Sequence, residues 1–249
     1  MLLENKVAVI YGAGGSIGGA VARAFAREGA QVFLAGRTQT SLDEVADEIH
    51  SNGGIAETAI VDALNEKVVD EYIDSIAKKA GRIDISFNLI SIGDVQQPLM
   101  DISIDDFLQP IMNAMRTHFI TTRAAVRHMV QRGSGAILAF GGGGPQTSPG
   151  LGGFKIALDA IEGHRRQWAL ELGKQGIRVI TIKTGGIPES IPEDNPERDN
   201  IIDKLLPSTL LKRAATLADV GNVAAFVASD QARTMTSTNV NISCGAIVD

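Results

Sequence analysis

The residues able to do chemistry fall into two groups. The first is Gly12-Ala-Gly14-Gly15-Ser16-Ile17-Gly18, which separates the apolar run Lys6–Tyr11 from a helical pattern at Ile17, Val21, Ala24 and Phe25. Glycine permits a turn with positive φ and lets backbone approach a phosphate, while a helix start supplies N–H donors and partial positive charge. Between a strand and a helix, this Gly-x-x-Gly-x-x-Gly spacing fits a dinucleotide's pyrophosphate; the alternative is an ordinary turn. After the second apolar run comes Ala35-Gly36-Arg37, with no acidic residue to accept the ribose 2′-OH of NAD. Arg37 could instead pair a 2′-phosphate with its guanidinium fork, which favours NADP over NAD; a solvated loop arginine is the alternative.

The second group lies around the loop 141–153 (GGGGPQTSPGLGG) and the helix after it. Ser91, Asp94, Thr147, Ser148 and Lys155 fall on or near loops that could face a ligand. Lys155 is the best single candidate for moving a proton, although a helix lysine more commonly sits at a surface. His118 and His164 read as interface or surface residues rather than bases. Tyr11 ends a buried strand and Tyr72 lies on an outer helix, so neither is expected to reach a substrate. No metal-ligand spacing is present.

The elements that position these groups alternate. Strands are predicted over 6–11, 31–35, 55–61, 83–87, 136–140, 177–183 and 238–243, with amphipathic helices between them. Ser41 with Glu44, Asn65, Ser103 with Asp106, and Thr216 with Asp219 are helix-start signals. The long helix from Ser103 to about Arg132 is expected to break or bend near Pro110. Pro188, Pro192, Pro196 and Pro207 mark an irregular region. Continuous apolar strands imply a parallel sheet covered on both faces: an α/β, doubly wound, Rossmann-type three-layer sandwich with seven strands. Its ligand crevice lies at the strands' carboxyl ends.

Composition agrees. At 44% hydrophobic and 21% charged, the 249 residues are globular rather than disordered, and no linker or repeat divides them, so 1–249 reads as a single domain. A net charge of −6 without a basic patch argues against nucleic acid. The single cysteine, Cys244, fits a reducing cytoplasm, and the absence of a signal-peptide pattern or long apolar run argues against export or a membrane.

The motifs resemble those of the short-chain dehydrogenase/reductase family along the whole chain. That family's Thr-Gly-x-x-x-Gly-x-Gly is matched at Gly12 and Gly18, with Tyr11 for Thr, Ser16 for the middle Gly, and Gly15 one place early. The resemblance implies that Gly12, Gly15, Ser16, Ile17, Gly18, Arg37, Asp62, Asn88, Thr184 and Gly185 bind the cofactor. In it, Asp62 holds the adenine amino group, though a helix-initiating turn is an equal reading. Asn88-Leu-Ile-Ser91 stands for Asn-Asn-Ala-Gly, and Thr184-Gly185 for a Pro-Gly near the nicotinamide. Stretch 188–210 resembles the family's substrate lid, and subunits are expected to pair into homodimers or homotetramers through the two long central helices.

The family's catalytic residues are another matter. Glu171-Leu172 and Gly176-Ile-Arg-Val179 fix an ungapped register in which Phe154 replaces the catalytic Tyr and Leu158 the Lys. Gly142 then replaces the Ser, and Ala114 the Asn, beside Asn113. A rival register keeps Lys155 as the lysine but puts Leu151 at the Tyr position and needs an insertion within a helix. Phe and Leu preserve packing but cannot donate the proton that a reduced carbonyl oxygen needs. The loop 141–153 is either an open substrate floor or a segment relaxed after losing catalytic constraint. With Ile92, Leu99, Met100 and Phe154 nearby, the pocket is expected to suit an apolar small molecule. The resulting expectation is an NAD(P)(H)-binding oxidoreductase, NADP(H) favoured, with a non-standard proton donor. The alternative is a non-catalytic dinucleotide-binding sensor or partner subunit, with no substrate at all.

Overall fold

In the computed structural model of the chain, the run of five apolar residues in β1 (Val7–Tyr11) is continuous because both its faces are buried. Val7, Val9 and Tyr11 pack with Ile73 of α3 (Glu66–Ala80) and Ile120 and Ala124 of α4 (Ile104–Arg132). Ala8 and Ile10 pack the other way, against Phe25 of α1 (Ser16–Arg27) and Val220 and Ala224 of α7 (Leu217–Ala228). Fully burying an aliphatic or aromatic side chain contributes about 1.5–3 kcal/mol. A strand buried on both faces gains from every residue, so selection for alternation is absent.

The same logic orders the rest. The strands β2 (Gln31–Gly36), β3 (Ile55–Ile60), β4 (Ile85–Asn88), β5 (Gly135–Gly141), β6 (Ile177–Lys183) and β7 (Thr238–Asn241) pair in parallel with β1 in the order β3-β2-β1-β4-β5-β6-β7. The helices α1, α2 (Gln39–Ser51) and α7 cover one face; α3, α4 and α5 (Gly152–Leu172) cover the other. The strand order reverses between β1 and β4, which opens a crevice at their carboxyl ends. The doubly wound, seven-stranded parallel architecture is therefore as expected. The structure describes residues 1–249 apart from 94, 142, 197 and 249, so Asp94 and Gly142 lie outside the described residues. Among the described residues no helix is long and apolar enough to cross a membrane.

Several local expectations change. Residues 104–132 form one unbroken helix with Pro110 in its second turn. The region of prolines contains a further helix, α6 (Arg198–Ser208), because Pro196 precedes it and Pro207 falls at its end. α2 starts before Ser41, with Thr38 as an N-cap lacking a side-chain hydrogen bond. Asn65, Ser103 and Thr216 do cap their helices, and Thr216 with Asp219 forms a full capping box.

Candidate functional site

The glycine turn is held by two close approaches. Gly12 has φ +77°, and a Cβ there would lie 2.5 Å from the Leu89 carbonyl oxygen. A Cβ on Gly18 would lie 2.1 Å from the Gly12 carbonyl oxygen. Both positions exclude any side chain for reasons internal to the fold. Gly15 differs, since a Cβ there would meet nothing closer than 3.5 Å. Gly15 is also the N-cap of α1 and provides no side-chain cap. The first-turn N–H groups of α1 thus lack the i−4 carbonyls that satisfy a helix interior. A bare backbone not required by packing, beside uncapped N–H groups, fits a bound anion such as pyrophosphate.

Two cavities meet at this turn. One, of about 510 Å³, is lined by Gly12, Gly15, Arg37, Ser41 and Asp62 among others. The other, of about 820 Å³, is lined by Gly12, Gly15, Ser16, Ile17, Gly18, Asn88, Thr184 and Gly185, and continues to α5. They share Gly12, Gly15, Leu89, Ile90 and Ser91, so together they form one cleft over the switch point. All ten residues expected to bind the cofactor line one cavity or both. Arg37 is exposed and makes no hydrogen bond or ion pair among the described residues. Asp62 accepts from the Leu64 N–H at 3.0 Å, so it shapes the turn into α3 while facing the cleft. Asn88, 5% exposed, donates to Thr121 Oγ1 at 3.3 Å and accepts from the Ile90 N–H at 3.1 Å. It fastens β4 to α4 and sets the path of the segment packed against Gly12.

The far end of the larger cavity is apolar. Phe154 and Leu158 pack with Ile92, Ala114, Ala139, Ala157 and Ile161, and Phe154, Leu158, Ile92 and Ile161 also line the cavity. Leu99 and Met100, expected nearby, are 85% and 90% exposed and do not line it. Ser91, Thr147 and Ser148 line it as exposed residues. Lys155 lines it too, but its ammonium is engaged: Nζ donates to the Gly144 carbonyl at 2.8 Å and pairs with Asp159 Oδ2. The Gly144 N–H in turn donates to Asp159 Oδ1 at 3.2 Å, so Lys155 and Asp159 fasten the loop after β5 to α5.

Of the two histidines read as interface or surface residues, His164 is half-buried on α5 and His118 is buried on α4. His118 is 5% exposed on α4 and lines the larger cavity. Its sequence signal was weak, because a helix histidine one turn after Ala114 looks the same whether it faces solvent or the interior. Burial, with the nearby His164 adding to it, pushes His118 down to about 3. His164 stacks on Trp168 with ring centroids 4.2 Å apart. Tyr11 and Tyr72 both have enclosed hydroxyls without partners, and burial raises both phenols. Neither hydroxyl is open to the larger cavity, which neither residue lines.

Comparison with known proteins places this geometry. Residues 12–246 match the family model described as enoyl-(acyl carrier protein) reductase. The oxidoreductase UcpA of Escherichia coli (strain K12) is 30% identical over 258 residues, covering 98% of this chain and 95% of that protein. A short-chain type dehydrogenase/reductase from Mycobacterium marinum superposes with TM-score 0.88 at 27% identity, covering 99% of this chain and 97% of the other. A 7α-hydroxysteroid dehydrogenase solved with NADH and 7-oxoglycochenodeoxycholic acid superposes with TM-score 0.90 at 27% identity, covering 99% and 96%. With a match spanning nearly the whole chain and a fold shared in full, this protein belongs to the short-chain dehydrogenase/reductase family of oxidoreductases.

Proposed function

We propose that the chain binds NADP(H) across the two joined cavities and transfers hydride to or from a compact, mostly apolar small molecule, without a Tyr–Lys proton relay. The observation that carries this reading is the continuous cleft from Arg37 to Leu158, with the uncapped start of α1 at its centre. Gly12, Gly15, Ser16, Ile17 and Gly18 would hold the pyrophosphate, Arg37 the 2′-phosphate, Asp62 the adenine end, and Asn88, Thr184 and Gly185 the nicotinamide end. When bound, the nicotinamide supplies or accepts the hydride. The protein's part is to align the two partners, which alone can supply a large share of a rate enhancement, while the proton that a reduced carbonyl or alkene also takes up would come from solvent.

The proton is the weak point. In the register carried by the family resemblance, Phe154, Leu158, Gly142 and Ala114 stand where the family has its polar residues. The engaged ammonium of Lys155 supports a positioning role for it. An activated alkene or an iminium-like acceptor needs less acid assistance than a simple ketone. The apolar cluster around Phe154 and Leu158 equally favours a second reading, in which the chain binds the dinucleotide as a sensor or partner subunit without turnover. Exposed Ile104, Leu108, Met112 and Phe119 on α4 support pairing of copies into a homodimer or homotetramer.

Fluorescence titration with NADPH and NADH tests the cofactor reading. NADPH is expected to bind at least tenfold more tightly, and Arg37→Ala to remove about ten- to a hundredfold of NADPH affinity while leaving NADH unchanged. Failure of both nucleotides at millimolar concentration overturns both readings. If NADPH binds, incubation with carbonyl, enone and imine panels separates oxidoreductase from sensor.

A further inference from the structure

Polar side chains facing the larger cavity are mostly accounted for. Asn88 and Lys155 are bonded within the protein, and Ser91, Thr147 and Ser148 are exposed to solvent. His118 is neither. It is 5% exposed, lines the same cavity as Ile92, Leu158 and Ile161, and its ring makes no hydrogen bond among the described residues. The interior does contain sealed polar atoms without partners, such as the Tyr11 and Tyr72 hydroxyls and His164 Nδ1. The ring nitrogens of His118 are not among them. They are therefore not sealed off, and the residue that carries them lines the cavity. Leaving a buried polar group unpaired costs about 1–3 kcal/mol, a cost that a ligand atom accepting its hydrogen bond would offset.

We infer that His118 is the substrate-contacting polar residue of this cavity, donating a ring N–H to the carbonyl oxygen of a compact ketone or enone whose hydrocarbon body lies against Phe154, Leu158 and Ile161. The inference rests on the cavity being the substrate site of an oxidoreductase. Held down to about 3 by burial and by His164 on α5, the imidazole is neutral at pH 7 and offers one donor and one acceptor. It orients and polarises the carbonyl and transfers no proton. This is a hydrogen-bond donor that the apolar cluster of Phe154, Leu158 and Ile161 does not itself offer.

The test uses the full-length protein with ¹⁵N-labelled histidines, with and without saturating NADPH, titrated with cyclohexanone and with its oxygen-free isostere methylenecyclohexane. Cyclohexanone is expected to shift the imidazole resonance that disappears in His118→Phe. Its affinity should fall about tenfold in that variant, whereas methylenecyclohexane binds both proteins alike. His118→Asn, which keeps a donor, should recover part of the ketone affinity, and NADPH binding reports whether each variant is folded. An unmoved His118 resonance, or equal ketone affinity in wild type and His118→Phe, overturns the inference. Loss of NADPH binding by the wild type overturns the parent reading instead, and the titration without NADPH still decides the role of His118.

Discussion

The two ends of the cleft are built on different principles. At the dinucleotide end the site is made of backbone: the tight turn that Gly12 and Gly18 permit, the space that Gly15 leaves open, and the uncapped N–H groups of α1. At the α5 end it is made largely of apolar side chains, Ile92, Phe154, Leu158 and Ile161 among them. A backbone site is tied to the fold, because filling Gly18 would drive a Cβ into the Gly12 carbonyl. A side-chain site can lose its chemistry while keeping its packing, as Phe and Leu occupy volume without offering a proton. The two ends of the cleft are therefore under different constraints: one is bound to the backbone of the fold, the other to the choice of side chains.

The strongest way to break this comparison is to put chemistry back. Gly142→Ser, Phe154→Tyr and Leu158→Lys together should raise NADPH-dependent ketone reduction by about 10²–10⁴-fold, the usual range for a positioned acid–base group. Loss of NADPH absorbance measures it. If the triple variant binds NADPH yet reduces nothing faster, the α5 end is not a catalytic site missing its side chains.

A second measurement sharpens the contrast within the dinucleotide end. Gly18→Ala should cost NADPH affinity at least about a hundredfold, because its neighbour within 2.1 Å is backbone and cannot turn aside. It should also destabilise the fold. Gly15→Ala should weaken NADPH about tenfold or more by crowding the ligand, yet change stability measured by urea unfolding by less than about 1 kcal/mol. Equal effects on folding from both variants would remove the distinction between a glycine kept for packing and one kept for a ligand.

How much was legible in the sequence follows the same division. The glycine turn could be read because backbone constraints leave residue types no freedom: Gly12 and Gly18 admit nothing else. The seven strands could be read because burial on both faces makes an uninterrupted apolar run. α6 could not, since Pro196 and Pro207 look like breakers until their places before and at the end of a helix are known. Nor could the placement of His118. Whether a helix histidine faces solvent or a cavity depends on how α4 and α5 pack, and α4 has apolar residues on its exposed side as well, at Ile104, Leu108, Met112 and Phe119.

The pH dependence of stability tests the burial of His118. Its imidazole protonates near 6.5 in the unfolded chain but only near 3 in the folded protein. As pH falls through 6.5 the unfolded state takes up a proton that the folded state refuses, so stability is lost progressively down to about 3. Between pH 7.5 and pH 5 this amounts to about 2 kcal/mol, with His164 acting in the same direction. Urea unfolding at the two pH values should show the loss in the wild type and a smaller one in His118→Phe. An identical loss in both would mean that His118 is not held neutral.

The smallest expected effect concerns Lys155, where the two ends of the argument meet in one side chain. A proton donor and a clamp make opposite demands on an ammonium. The donor must reach the substrate; the clamp must stay on the Gly144 carbonyl and on Asp159, which also accepts from the Gly144 N–H. With 13% of its side chain exposed, Lys155 is enclosed enough for those bonds to matter, while Asp159 at 45% is partly screened by water. Lys155→Met keeps the stem and removes the charge, so it should cost about 1 kcal/mol of stability and loosen the loop after β5. As a clamp, its loss should raise the KM of any turnover several-fold and leave kcat within about threefold. As the proton donor, its loss should lower kcat by about 10²-fold or more with its pH profile altered. The split between KM and kcat therefore decides whether Lys155 moves a proton or only holds the loop in place.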